Sequence, residues 1–348
     1  MRTRTLFYIA IALSGLSLSA IAGCDKDKGS ATGGGANVEV RVGYFANVTH
    51  AQAVLGVSTG SLEKAITPAK LSTKVFNAGP SLIEALFAGE IDIGYVGPGP
   101  ALNAHAKGRG EKIRVIAGAA ANGVLIVARK DSGINTLADL AGKRVATPQM
   151  GNTQDISAKH YLLHELKQKD LNNVLAIANT EQAGLMSRKE IDAAWTPEPW
   201  GSRLIVEGQG KLLAQEKDLW PNKKFSLTLV VTTPEFLAKH PDIVEKVLAV
   251  HVRMTRWLNA TPQNWATPLD QALKQLTGKS LPPGVVSSSL NYVQFTEEPL
   301  EETLSTMNQW AYDLKLNSSA TLAPGLVNTT ILKKVQTQAT TEPHTVDH

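Results

Sequence analysis

From Val38 onward, short runs of alternating apolar and polar residues are separated by longer stretches with helical spacing. Val38-Glu39-Val40-Arg41-Val42-Gly43-Tyr44 has period two and predicts a strand, which ends in the polar loop Asn47-Val48-Thr49-His50. Residues 71–76 predict a second strand. Pro80 then opens a helix that runs to Ala88 and stops at Gly89. Residues 91–96 predict a third strand, followed by a glycine- and proline-rich loop and a helix over about 101–107. This interleaving predicts an α/β fold with mostly parallel sheets and right-handed crossovers. The apolar stretch 113–127 predicts a strand passing from one lobe to another, and 225–232 predicts the return.

The pattern also repeats. Glu90-Ile91-Asp92-Ile93-Gly94-Tyr95-Val96-Gly97-Pro98 recurs one hundred positions on as Glu190-Ile191-Asp192-Ala193-Ala194-Trp195-Thr196-Pro197-Glu198. In the same order, Arg41-Val42-Gly43-Tyr44 is echoed by Arg144-Val145-Ala146-Thr147, and each strand ends in a polar loop. Two echoes in one order predict two lobes of like topology. In open α/β sheets, ligands sit beyond the carboxyl ends of strands, where helix starts present unpaired N–H groups and the dipole favours negative charge. The segment Gly94–Pro100 (GYVGPGP) carries no charge, thiol or imidazole, so it offers main-chain groups rather than side chains.

At the amino terminus, Arg2 and Arg4 precede an apolar run at 6–13, then small residues and Ile21-Ala22-Gly23-Cys24. A basic start, a short apolar core and a small-residue cleavage site predict an export signal over 1–23. Ile-Ala-Gly-Cys resembles the bacterial lipobox, which implies a lipid anchor on Cys24, the chain's one cysteine, with Asp25 favouring retention at the cytoplasmic membrane. Residues 24–37 are polar and glycine-rich and predict a flexible tether. With 43% hydrophobic and 19% charged residues, the remainder suits a soluble globular protein. Removing Arg2 and Arg4 takes the formal charge from +4 to +2, too small and too dispersed for a nucleic-acid surface.

Four segments then carry a family resemblance: GYFANVTHAQA at 43–53, the run 76–104 around GYVGPGP, KRVATPQMGNTQD at 143–155 and IDAAWTPEPW at 191–200. Together they resemble the solute-binding proteins of ABC importers for nitrate, sulfonates, taurine and bicarbonate. The resemblance implies a two-lobed periplasmic-binding-protein fold of type II. Lobe I would span 38–121 and 233–333, lobe II 122–232, and 334–348 would be an unstructured tail. It further implies a small oxyanion or sulfonate-like solute as ligand, an ABC permease with its ATPase as partner, no cofactor and a monomeric state. Carried over by position, the ligand residues would be Asn47, Thr49 and His50, then Gly79, Pro80 and Ser81, then Gly97 and Pro98 in lobe I. Lobe II would supply Gly151, Asn152, Thr153 and Gln154, with Trp195 as a ligand wall and Glu198 just beyond. Asn47, Thr49 and Asn152 also read as caps or turn residues, and His50 as a structural hydrogen-bonder. The Glu-Pro-Trp run looks like the nitrate and bicarbonate branch, whereas sulfonate-binding relatives more often have an acid where this chain has Thr196.

The sequence has no Walker loop, no His-Glu-x-x-His and no cysteine pair for a metal. His160 and His164 are four apart on a predicted helix, which reads most simply as a solvated face, and no metal is expected. The alternatives are an enzyme of the pyrimidine-precursor synthase group, which shares the fold implied here, and a ligand-sensing lipoprotein or adhesin.

Overall fold

The computed structural model describes residues 38–341. The signal segment, Cys24, the tether and 342–348 lie outside the described residues. Among the described residues, eleven strands occur in chain order. They are β1 (Glu39–Phe45), β2 (Lys70–Phe76), β3 (Ile93–Val96), β4 (Arg114–Asn122), β5 (Val124–Arg129) and β6 (Val145–Thr147). After them come β7 (Val174–Ala176), β8 (Ala193–Pro197), β9 (Gly210–Gln215), β10 (Ser226–Thr232) and β11 (Val293–Phe295). They form a six-stranded sheet ordered β11-β4-β10-β3-β1-β2 and a five-stranded sheet ordered β7-β6-β8-β5-β9.

The sequence echo is a structural echo. β1 lies parallel between β2 and β3, and β6 lies parallel between β7 and β8. Val42 faces Ile93 in the first sheet as Val145 faces Ala193 in the second. One residue before each of these positions sits the same clamp. Arg41 donates its backbone N–H (2.8 Å) and Nε (2.9 Å) to Asp92, and Arg144 does the same to Asp192 (3.0 and 2.9 Å). Each guanidinium also reaches a carbonyl in the turn before the third strand, that of Gly89 or Lys189. A charge-assisted fork thus sets the same register twice.

Strands entering from the other half run the opposite way, so antiparallel pairs join the parallel ones. β10 is antiparallel to β3 and β4, and β5 is antiparallel to β8 and β9. The single strand expected over 113–127 is broken in two because Asn122 (φ 61°) and Gly123 (φ 74°) are consecutively left-handed. The return also falls earlier than expected: β10 is wholly in the first sheet, so 226–232 belongs with the first half.

Behind the first sheet lies the helix Pro241–Ala260, which buries Ile243, Val244, Val247, Leu248 and His251. His251 donates from Nε2 to the Gly118 carbonyl (2.7 Å), so its Nδ1 is left to accept from the Tyr95 hydroxyl (3.1 Å). The tail departs from expectation as well. Residues Thr330–Thr341 are helical, with Leu332 and Val335 buried against Pro241–Ala260. These two, with Ile331, make a short apolar stripe that the surrounding Thr, Gln and Lys residues mask in the sequence.

Candidate ligand-binding site

A small cavity of about 20 Å³ lies where the strand ends of the two sheets face each other. Phe45, Asn47, Thr49 and His50 reach it from the end of β1, Asn77 from the end of β2, and Gly97 from the end of β3. Opposite them stand Asn152, Thr153 and Gln154 from a helix start, with Asn179 and Pro197. Leu227 and Thr228 of β10 complete it. No Asp, Glu, Lys or Arg is among the lining residues.

Several of the lining residues are neutral donors whose acceptor atoms are already engaged. His50 accepts the Phe45 backbone N–H at Nδ1 (3.3 Å) and stacks on the Phe45 ring at 4.4 Å. Burial pushes its pKa down to about 3, so the ring is neutral and its one proton sits on Nε2. Asn47 accepts at Oδ1 from Trp200 Nε1 (2.8 Å), and Asn179 accepts at Oδ1 from the Thr196 hydroxyl (3.1 Å). Both therefore keep their amide N–H groups for a partner. Neither Asn47 nor Asn152 makes the side-chain capping bond that their sequence context allows. The helix Thr153–His160 adds its unpaired first-turn N–H groups. Its buried Asp155 accepts the Gly151 N–H (2.8 Å) and pairs with Lys159 (2.9 Å), which ties down the loop before the helix.

Glycine at the end of β3 serves close approach. A Cβ on Gly97 would lie 2.4 Å from Thr153 Oγ1, and one on Gly99 would lie 2.9 Å from the Thr153 nitrogen. The Gly99 N–H donates to Thr153 Oγ1 across the gap (3.2 Å). Gly97 has φ −69°, an ordinary value, so what the position requires is space and not a special backbone. The opening of GYVGPGP lets the second half's helix start close onto the first half.

The sequence model of the NMT1-like family matches residues 33–268, well over half of the chain. The chain belongs to the NMT1-like family. A putative binding protein of Brucella abortus is 28% identical over 266 residues, 76% of each chain. The taurine-binding periplasmic protein of Escherichia coli is 26% identical over 254 residues, 72% of this chain and 75% of that one. Among solved structures, the alkanesulfonate-binding protein SsuA of Xanthomonas axonopodis pv. citri bound to MOPS superposes with a TM-score of 0.68 at 23% identity, covering 84% of this chain and 98% of that one. The nitrate-binding protein NrtA of Synechocystis gives 0.72 at 13% identity, covering 88% and 90%. The fold is that of the type II periplasmic binding proteins, as the two sheets and their crossing strands imply.

Within this NMT1-like fold, seven of the fourteen residues expected at the site line the cavity and seven do not. Gly79 exists for packing, since a Cβ there would lie 2.2 Å from Pro100 Cγ. Pro80 sits in the first turn of its helix, and Ser81 donates to the Ala78 carbonyl (2.9 Å). Pro98 is the first residue of the helix Pro98–Lys107, and Gly151 (φ 72°) is the turn that Asp155 holds. Trp195 is no wall of this cavity: its Nε1 donates to Glu216 (2.6 Å), and it faces a separate space of about 280 Å³ beside Trp220 and Trp310. Trp195 stands at the position of Tyr95 in the repeat, and both turn away from the strand ends. Glu198 is fully buried and accepts from the Ser202 N–H (3.1 Å), the Ser202 hydroxyl (2.8 Å) and the Ser289 hydroxyl (3.0 Å). Burial pushes its pKa up to about 7, against the pull of those donors. It fastens Pro197 and the helix Trp200–Val206 to the segment 285–289 and leaves the cavity to others.

Six lining residues escaped the sequence reading. Asn77 and Asn179 had a usable signal, since each is a lone Asn where a strand gives way to a helix, Asn77 before its helix and Asn179 as the first residue of its own. Phe45, Pro197, Leu227 and Thr228 had none, because which way they point depends on pleat and register.

Proposed function

We propose that this protein is the solute-binding component of an ABC importer that holds a small oxyanion, or the oxyanion head of a sulfonate-like solute, between its two halves. The observation that carries this reading is a cavity lined by neutral donors at helix starts, with His50 fixed as an Nε2–H donor. Aligned N–H groups stabilise an anion without a counter-charge and release it again without breaking an ion pair. The family membership and the periplasmic binding proteins among its relatives support binding rather than catalysis. They also support export and a permease with its ATPase as recipients; lipid on Cys24 as the anchor rests on the Ile-Ala-Gly-Cys run alone. No described helix is long and apolar enough to cross a membrane.

A space of about 20 Å³ holds roughly one water-sized group. Any solute of more than a few atoms therefore requires the halves to part slightly. A thermal-shift series with nitrate, bicarbonate, taurine and alkanesulfonates tests the reading. A solute at one hundred times its Kd should add about 2.7 kcal/mol of stability. A series in which none of these anions raises Tm while a cationic or neutral solute does would overturn it.

A further inference from the structure

We propose that His160, His164 and Asp313 form a binding site for one divalent transition-metal ion of the zinc class, apart from the ligand cavity. His160 closes the helix Thr153–His160, and His164 lies one turn on, in the π-helical segment Tyr161–Glu165. Asp313 closes the helix Glu301–Asp313, which packs across them. One ligand atom from each residue lies within 4.8 Å of the other two.

The pair is not the solvated face that its spacing predicts. The two imidazoles stack at 4.5 Å, and the Trp310 indole lies on His160 at 4.2 Å, tilted by only 14°. His160 Nδ1 and His164 Nε2 are shielded from solvent and meet no hydrogen-bond partner in the protein. Asp313 Oδ2 stands 4.0 Å from His164 Nε2, too far for a hydrogen bond but within ion-pair range. Two histidines, each with a ring nitrogen that meets no partner, and a nearby carboxylate are the donor set that zinc takes in three-ligand sites, with a fourth position left for water. Zinc bonds of about 2.0–2.2 Å place tetrahedral ligands roughly 3.3 Å apart. Side-chain rotations on the order of 1 Å therefore close this set around an ion. Imidazole donors select zinc, cobalt, nickel or copper over calcium and magnesium, which need mainly oxygen. A π-turn at the second histidine fits, since such turns occur frequently at functional positions. The ion would brace the helix after β6 against the C-terminal part of the chain.

The test uses the untagged full-length chain with Cys24→Ser, His344→Gln and His348→Gln, so that other ligating residues outside the described part do not mimic the site. Zinc titrated by calorimetry should bind one to one and raise Tm. Cobalt should give the visible absorption of a four-coordinate ion, and copper should quench tryptophan fluorescence through Trp310. His164→Gln and Asp313→Asn, both at partly exposed positions, should each lower zinc affinity at least tenfold and leave the metal-free Tm unchanged. His240→Gln should bind as the parent does. Absence of saturable zinc binding, or one-to-one binding that survives both His164→Gln and Asp313→Asn, would overturn the proposal.

Discussion

The two halves use one scaffold and finish it differently. Arg41 with Asp92 and Arg144 with Asp192 are the same clamp, and the pairing of β1 with β3 matches that of β6 with β8. At the aromatic position of the repeat, Tyr95 bonds His251 and Trp195 bonds Glu216, so each anchors its third strand to the layer behind it. The divergence begins two residues on. The first half ends in Gly97-Pro98, which clears room for the opposite helix start. The second ends in Pro197-Glu198, whose carboxylate is clasped by Ser202 of its own half and Ser289 of the other. What repeats is the part that builds a strand, and what differs is the part that lets the halves meet.

Breaking that difference should have the largest effect. Gly97→Val puts branched carbons where only about 2.4 Å separates the Cβ site from Thr153 Oγ1. The halves could then shut only by displacing the start of the helix Thr153–His160. An overpacking penalty of about 3 kcal/mol, roughly a hundredfold in affinity, is expected for whichever anion the thermal-shift series identifies. Gly56→Ala, at a helical position with 3.6 Å of clearance, should bind as the wild type does. Calorimetry on both proteins checks this, and near-equal affinities would mean that closure does not bring Gly97 against Thr153.

Removing what the halves share should cost less, and somewhat more in the second half, where Arg129 also holds Asp192. Asp92→Ala and Asp192→Ala each delete a carboxylate that accepts a backbone N–H and the clamp guanidinium, worth roughly 1.5–3 kcal/mol of stability, and Asp192→Ala additionally loses the bond from Arg129 at 3.0 Å. Chemical denaturation should show a loss in both variants, the larger in Asp192→Ala; no loss in Asp92→Ala would mean that the clamps are not equivalent. For Asp192 there is also a pH signature. Hydrogen bonds from Arg144 hold its carboxyl well below the usual range, so the folded state binds fewer protons than the unfolded chain. That stabilisation is complete above the unfolded pKa of about 3.9 and fades as pH falls below it. Asp192→Ala should therefore flatten the acid limb of the stability curve.

The same contrast explains what was legible in the sequence. Strand alternation and the two echoes are local or repeated, so two lobes follow from pattern, while the seven cavity residues follow from the family resemblance carried over by position. Short polar residues just past a strand end, such as Thr49 and Gln154, are placed by topology whatever the packing. Trp195 and Glu198 were misplaced because their partners, Glu216 and Ser289, lie 21 and 91 residues away. Nothing near them in sequence says whether they face the cleft or turn from it. Gly123 and Asn122, which split one apolar run into two strands, read as unremarkable residues until their left-handed angles are seen.

The smallest effect should come from the hydrogen bond that joins Asn47, a lining residue of the first half, to the helix Trp200–Val206 of the second. Trp200 donates from Nε1 to Asn47 Oδ1 at 2.8 Å, and both residues are buried. Trp200→Phe keeps an aromatic filler beside Arg203, whose guanidinium lies 5.8 Å from the indole, and removes only the donor. In the shut form Asn47 Oδ1 is then left without its partner, whereas in an open form water supplies one. The loss therefore falls on closure, about 1 kcal/mol, or roughly three- to tenfold in anion affinity. Unfolding of the ligand-free protein should change little, and scattering should show less compaction at a given anion concentration. An affinity loss accompanied by an equal loss of ligand-free stability would place Trp200 in the fold of its own half and not in the closing contact.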